Sequence, residues 1–171
     1  MGADQAVRLE RVAFDHPDAV ALREAMVAEV AGIYGGQRDR GANGMPTGVD
    51  PADVLVTLVG YAAGRPVAHA LLRRLGDEIE IKRMFVSPAA RGLGAADALM
   101  AALEDEARAV GAARIILHTG DRQVAAVRAY RRHGYTPIDV YEPYVGMPAS
   151  LCFEKVLHET PLTRGTPQSP S

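Results

Sequence analysis

Residues 80–96, Glu-Ile-Lys-Arg-Met-Phe-Val-Ser-Pro-Ala-Ala-Arg-Gly-Leu-Gly-Ala-Ala, decide how this chain is read. An apolar, strand-like run passes directly into a turn carrying Gly92 and Gly94, and the residues that follow suit a helix. A helix entered this way has backbone N–H groups without acceptors at its positive end, and glycines let an anion come close to them. Arg91 adds a fixed positive charge at the rim. The stretch predicts an anion cradle suited to a diphosphate.

Upstream, residues 7–14 read as a strand and 18–34 as a helix that begins after His16-Pro17. Residues 35–51 hold too many Gly and Pro for a regular element and predict a mobile loop. Strand-like runs at 54–62, 67–75 and 78–86, separated by turn residues, predict an antiparallel meander. Downstream, 93–110 reads as a helix with Leu99, Leu103, Ala107 and Val110 on its apolar stripe and Glu104, Asp105, Glu106 and Arg108 largely opposite. Residues 113–119 form a strand, 121–133 a helix stopped by Gly134, and 135–141 and 150–157 two further strands. The strands at 78–86 and 113–119 are joined by a helix, so they are expected to run parallel with a right-handed crossover. The fold class is α/β, with an α+β mixed sheet: an antiparallel meander followed by a parallel βαβ unit.

A chain of 171 residues, 48% hydrophobic and 23% charged, suits a single domain, here residues 1–158. Residues 159–171 offer little to bury and predict a disordered tail. A net charge of −2 argues against nucleic acid and anionic membranes as partners. Cys152 stands alone, so no disulfide forms within the chain and no cysteine-based metal site exists, which fits a cytoplasmic protein. No signal segment and no membrane-spanning run is evident.

Three nucleotide-binding readings compete for the glycine turn. A Walker loop needs Lys followed by Ser or Thr after its last glycine, where this chain has Ala95-Ala96-Asp97. A dinucleotide fold wants a third glycine where Asp97 stands, in an early βαβ unit. The third reading rests on Arg91-x-x-Gly94-x-Ala96, which resembles the (Gln/Arg)-x-x-Gly-x-(Gly/Ala) acyl-CoA signature of the GNAT superfamily of N-acetyltransferases. Val86-Ser-Pro88 before it and Gln123-x-x-Ala126-x-x-x-Tyr130-x-x-x-Gly134-Tyr135 after it strengthen the resemblance. Gln123 stands where the family often has Asn, and Ala95-Ala96 where Ile-Gly is common.

The resemblance implies acetyl-CoA as co-substrate and no metal. Its diphosphate would lie on the amides of Arg91, Gly92, Leu93, Gly94, Ala95 and Ala96, and its pantetheine beside Met84, Phe85 and Val86, where the two parallel strands of the family splay apart. A backbone N–H near Met84 or Phe85 would polarise the thioester carbonyl. Gln123 would bond the pantetheine, or else be an exposed polar helix residue. Tyr130 would protonate the departing thiolate, with packing of the helix against the sheet as its alternative role.

Glu80 would take the proton that an ammonium acceptor must lose, or else be salt-bridged with Lys82 or Arg73; Glu78 is a poorer substitute. His118 and Thr119 end a strand near the splay, where His118 serves either the acceptor or the structure. His16, His69, His133 and His158 lack metal-ligand spacing and read as structural or exposed, while Cys152 lies in an apolar strand that would quieten its thiol.

The acceptor, a small-molecule or peptide amine, would meet residues 34–51 and 141–150, among them Arg38, Arg40, Tyr141, Glu142 and Tyr144. Family members often form homodimers. Two other classes stay open: an acyl-CoA sensor or regulatory module without acceptor turnover, and a scaffold that dimerises through its late strand.

Overall fold

The structure, a computed structural model, describes residues 6–35 and 48–157. Strand β1 (Arg8–Val12) leads to helix α1 (Pro17–Tyr34), then to β2 (Val54–Ala62), β3 (Arg65–Leu75) and β4 (Glu78–Val86). Helix α2 (Ala95–Ala109), β5 (Arg114–Gly120), α3 (Val124–Arg132), β6 (Thr136–Ile138) and β7 (Ser150–Val156) complete the order. The strands form one sheet of seven in the order β1-β2-β3-β4-β5-β7-β6. Among the described residues every neighbouring pair is antiparallel except β4 and β5, which run parallel as the intervening helix requires.

The two faces of the sheet are covered separately. Leu58, Leu72, Ile79, Ile81, Ile115 and Leu117 meet Leu99, Met100, Leu103 and Ala107 of α2 in the larger core. Burying each of the larger side chains contributes roughly 1.5–3 kcal/mol. On the opposite face Ala19 and Leu22 of α1 pack against Val59 and Phe85. No described helix is long and apolar enough to cross a membrane.

Several expectations are corrected. Helix α2 begins at Ala95 rather than at residue 93 because Leu93 still belongs to the turn, and Val110 lies just past its last residue, 43% exposed. Glu104, expected on the solvated side, is buried because Lys155 Nζ donates to it at 2.9 Å. Helix α3 starts at Val124, not Asp121, which makes Gln123 its cap residue, and the strand expected at 135–141 is only Thr136–Ile138. Most of the loop at 35–51 and the tail from 158 onward, with Arg38, Arg40 and His158, lie outside the described residues.

Candidate active site

The site begins with a change in β4. Along β3 the pairing runs from Leu75↔Glu78 to Ala68↔Val86, with one irregularity: His69 pairs with Phe85, and Leu71 with Lys82. Two steps on β3 thus match three on β4, a bulge that places Arg83 and Met84 opposite Ala70. Arg83 has φ of 57°. The extra residue inverts the alternation of side chains. Ile79 and Ile81 point into the larger core, where Met84 and Val86 also pack, while Phe85 joins the α1 face. Toward β5 the strand pairs only at Glu80↔Ile116 and Ile81↔Leu117, so from Lys82 onward that edge of β4 has no strand partner among the described residues. The expected splay is present.

The chain then makes a single 3-10 turn, Pro88–Ala90, and enters α2 through Gly92 (φ 86°) and Gly94 (φ 81°). Both glycines are needed for these left-handed conformations rather than for space, since a Cβ on either would meet nothing within 4 Å. Helix α1 has its N-terminus capped by the His16 side chain, which accepts from Asp18 N, whereas α2 has no side-chain cap. Ser87 N–H is bound to Val67 O at 2.8 Å, and the amides of Arg91 and Leu93 make long bonds of 3.4 Å to Pro88 O and Ala90 O. Among the described residues, the N–H groups of Gly92, Gly94, Ala95 and Ala96 have no acceptor. Of the amides of residues 91–96, on which a diphosphate is expected, these four are free and those of Arg91 and Leu93 are engaged by the turn before the helix.

These groups open onto a cavity of about 730 Å³. Its lining includes Met84, Phe85, Val86, Arg91, Gly92, Gly94, Ala95, Ala96, Gln123 and Tyr130, so the structure brings together every predicted cofactor-binding residue except Leu93. Leu93 is 38% exposed outside it. Arg91 pairs with Glu29 of α1 at 2.5 Å and donates to Val86 O at 3.3 Å. Asp97, in the first turn of α2, would oppose an anion, but Arg132 and His133 both bond to it at 2.7 Å and hold its carboxyl below the usual range. Tyr130 is nearly buried against Tyr135 and Phe153, its hydroxyl has no hydrogen-bond partner among the described residues, and burial raises its pKa.

Sequence reasoning missed the wall supplied by α1. Met26, Glu29, Val30 and Ile33 recur at helical spacing and all line the cavity. The available signal was an apolar stripe on α1 in excess of what one face needs, with Ile33 left 37% exposed. Tyr34, the last residue of α1, ties this helix to the segment after β5. Its hydroxyl accepts from Arg122 N at 2.7 Å and lies 2.1 Å from where a Cβ on Gly120 would be, so a side chain at 120 would have to displace the Tyr34 ring.

Glu80 does not line the cavity. Its side chain is fully buried, with one oxygen 2.8 Å from the Arg73 guanidinium and the other accepting from Tyr141 at 2.6 Å. Tyr144 donates to Glu80 at 3.4 Å and accepts from Lys82 Nζ at 2.6 Å. Burial lowers the Lys82 pKa to about 8, partly offset by Glu80. His118 stacks on Tyr144 at 3.8 Å and meets Ser150 Oγ at 2.8 Å. Glu78 is tied to Arg114. Cys152 is buried, which pushes its thiol pKa up. Among the described residues no group of three or more acidic, His or Cys side chains could hold a metal.

Known proteins share this fold and family. A family model described as the acetyltransferase (GNAT) family matches residues 37–135. The chain is 42% identical over 78 residues to an IAA acetyltransferase of Azospirillum brasilense, covering 46% of this chain and 51% of that protein. The chain thus spans about half the length of that curated relative. A solved structure of a candidate acyl-CoA N-acyltransferase from Klebsiella pneumoniae subsp. pneumoniae MGH 78578 has a TM-score of 0.74 at 27% identity, over 89% of this chain and 98% of that one. A GNAT family acetyltransferase from Elizabethkingia anophelis, with acetyl-CoA bound, shares the fold with a TM-score of 0.63 at 12% identity, over 88% of this chain and 98% of that one.

Proposed function

The chain belongs to the acetyltransferase (GNAT) family, and from that premise we propose that it transfers an acetyl group from acetyl-CoA to a primary amine by direct attack, both substrates being bound together. The observation that most supports this reading is the set of acceptorless N–H groups at Gly92, Gly94, Ala95 and Ala96, opening onto a cavity that also takes in the unpaired edge of β4 and Tyr130. Oriented amides at a helix N-terminus suit a diphosphate, and a strand edge without a partner suits the amides of a pantetheine arm. Arg91 and Gln123 would assist at the two stations.

Acetyl-CoA would supply the acetyl group already activated as a thioester. Tyr130, whose raised pKa keeps its proton on the hydroxyl, would protonate the departing thiolate. The acceptor, with an amine pKa near 10.4, must lose a proton before it attacks. Glu80 is enclosed by Arg73, Tyr141 and Tyr144, so a proton would reach it only by way of a tyrosine hydroxyl. We keep Glu80 as a proposed relay terminus on that basis. The same reading has the protein work in the cytoplasm, without nucleic acid or a membrane, as a monomer or a homodimer.

The test supplies acetyl-CoA with a panel of primary amines and follows thiol release together with the mass of the amine product. Amine-dependent release that falls about 100-fold in Tyr130→Phe, with affinity for CoA unchanged, is the expected outcome. Tight binding of acetyl-CoA with no release for any amine would replace this reading with that of a sensor.

A further inference from the structure

His69 is fully buried on β3, where it pairs with Phe85 at the border of the β4 bulge. Its Nδ1 lies 2.9 Å from Arg83 O, and its Nε2 lies 3.1 Å from the Arg23 guanidinium. A carbonyl can only accept and a guanidinium can only donate, so the proton must be on Nδ1 and Nε2 must accept. The partners thereby fix one neutral tautomer. Arg23 is itself anchored, since it donates to Phe14 O and lies over the Phe14 ring at 4.0 Å. Burial, with the nearby charges of Arg23 and Arg83, lowers the His69 pKa to about 4, so the imidazole stays neutral at physiological pH.

The carbonyl that His69 holds belongs to the strained residue. Arg83 is the non-glycine with φ of 57° whose insertion inverts the side-chain alternation, sending Phe85 to the α1 face and Met84 toward the larger core. An L-residue leaves that conformation unless its surroundings hold it.

We infer that His69 is a positioning residue: its Nδ1–H, oriented by Arg23 of α1, pins the Arg83 carbonyl and so fixes the bulge that aims residues 84–86 into the cavity. The inference rests on the proposed acetyl transfer for its effect on rate, because residues 84–86 are where a thioester carbonyl would meet a backbone N–H. It does not rest on it for its structural content. His69 touches neither the cavity nor any substrate and acts through Arg83.

The experiment compares His69→Asn, whose amide nitrogen can take the place of Nδ1, with His69→Leu and with the double variant His69→Leu/Arg83→Gly, in which glycine tolerates the positive φ unaided. Two measurements are made on each: backbone NMR shifts and amide exchange of Arg83, Met84 and Phe85, and the rate of amine-dependent thiol release beside the affinity for CoA. We expect His69→Leu to move those shifts and to lower kcat by 10- to 100-fold with CoA affinity within about threefold. Both His69→Asn and the double variant should recover most of the loss. Unchanged shifts for residues 83–85 in His69→Leu overturn the inference whether or not the protein turns over, as does equal loss in the Asn, Leu and double variants. Should the wild type itself release no thiol, the acetyl-transfer reading falls and the NMR comparison alone decides the role of His69.

Discussion

The two edges of β4 are built for opposite ends. Against β3 it is paired from Glu78 to Val86, and the one irregularity is held by the His69 to Arg83 hydrogen bond. Against β5 it is paired only at Glu80 and Ile81, and its last three residues, Met84, Phe85 and Val86, line the cavity. The cleft therefore opens because β5 departs, while β4 stays anchored along its far side. A strand that must offer free backbone groups to a ligand on one edge needs the other edge closed, since unpaired backbone that is also mobile would collapse or take up water. The closed edge also carries the buried Arg73 and Glu80 pair.

This contrast can be broken by showing that changes on the closed edge alter binding, or that changes on the open edge alter stability. The largest effect is expected from Glu80→Gln, which leaves the buried Arg73 and Lys82 without a carboxylate. Unfolding free energy by urea should fall by about 3–5 kcal/mol, with acetyl-CoA affinity in the folded protein unchanged. Gly94→Val, on the open side, should do the reverse. Affinity for acetyl-CoA by calorimetry should drop about 100-fold, roughly 2.7 kcal/mol, whereas the left-handed φ at that position costs stability only about 1–2 kcal/mol.

Acid tests the closed edge next. His69 binds its proton near pH 6.5 when unfolded but only near 4 when folded, because it is buried. Its contribution is thus whole above pH 6.5 and is lost as pH falls toward 4. Wild type should lose about 2 kcal/mol more than His69→Asn between pH 7.5 and pH 5, from denaturation at each pH. The smallest effect is expected at Arg91→Ala. That side chain is 49% exposed and already paired with Glu29, so acetyl-CoA affinity should weaken only about tenfold, and less at high salt.

The open edge was largely legible in the sequence and the closed edge was not. Gly92, Gly94, Arg91, Gln123 and Tyr130 lie in the two short windows that carry the resemblance to the GNAT superfamily, and all of them line the cavity. The extent of β4 was also readable, since apolar residues and flanking turns bound it at Glu78 and Val86. The bulge was hidden because strand reading assumes a period of two; the consecutive polar pair Lys82-Arg83 and the apolar run Met84-Phe85-Val86 after it broke the alternation. His69 gave no signal, as its meaning depends on a carbonyl 14 residues away. For Glu80 the salt bridge with Arg73 was readable as one of two roles, but full burial was not, because a carboxylate is seldom buried and its enclosure needs Tyr141 and Tyr144, about 60 residues on.

The central claim is that four main-chain amides at the start of α2 receive the diphosphate of an acyl-CoA. Titrating acetyl-CoA into ¹⁵N-labelled protein tests it most directly. The N–H resonances of Gly92, Gly94, Ala95 and Ala96 should move downfield together and saturably, while that of Ser87, already bound to Val67, stays in place. Resonances that remain fixed at those four positions with millimolar acetyl-CoA would contradict it.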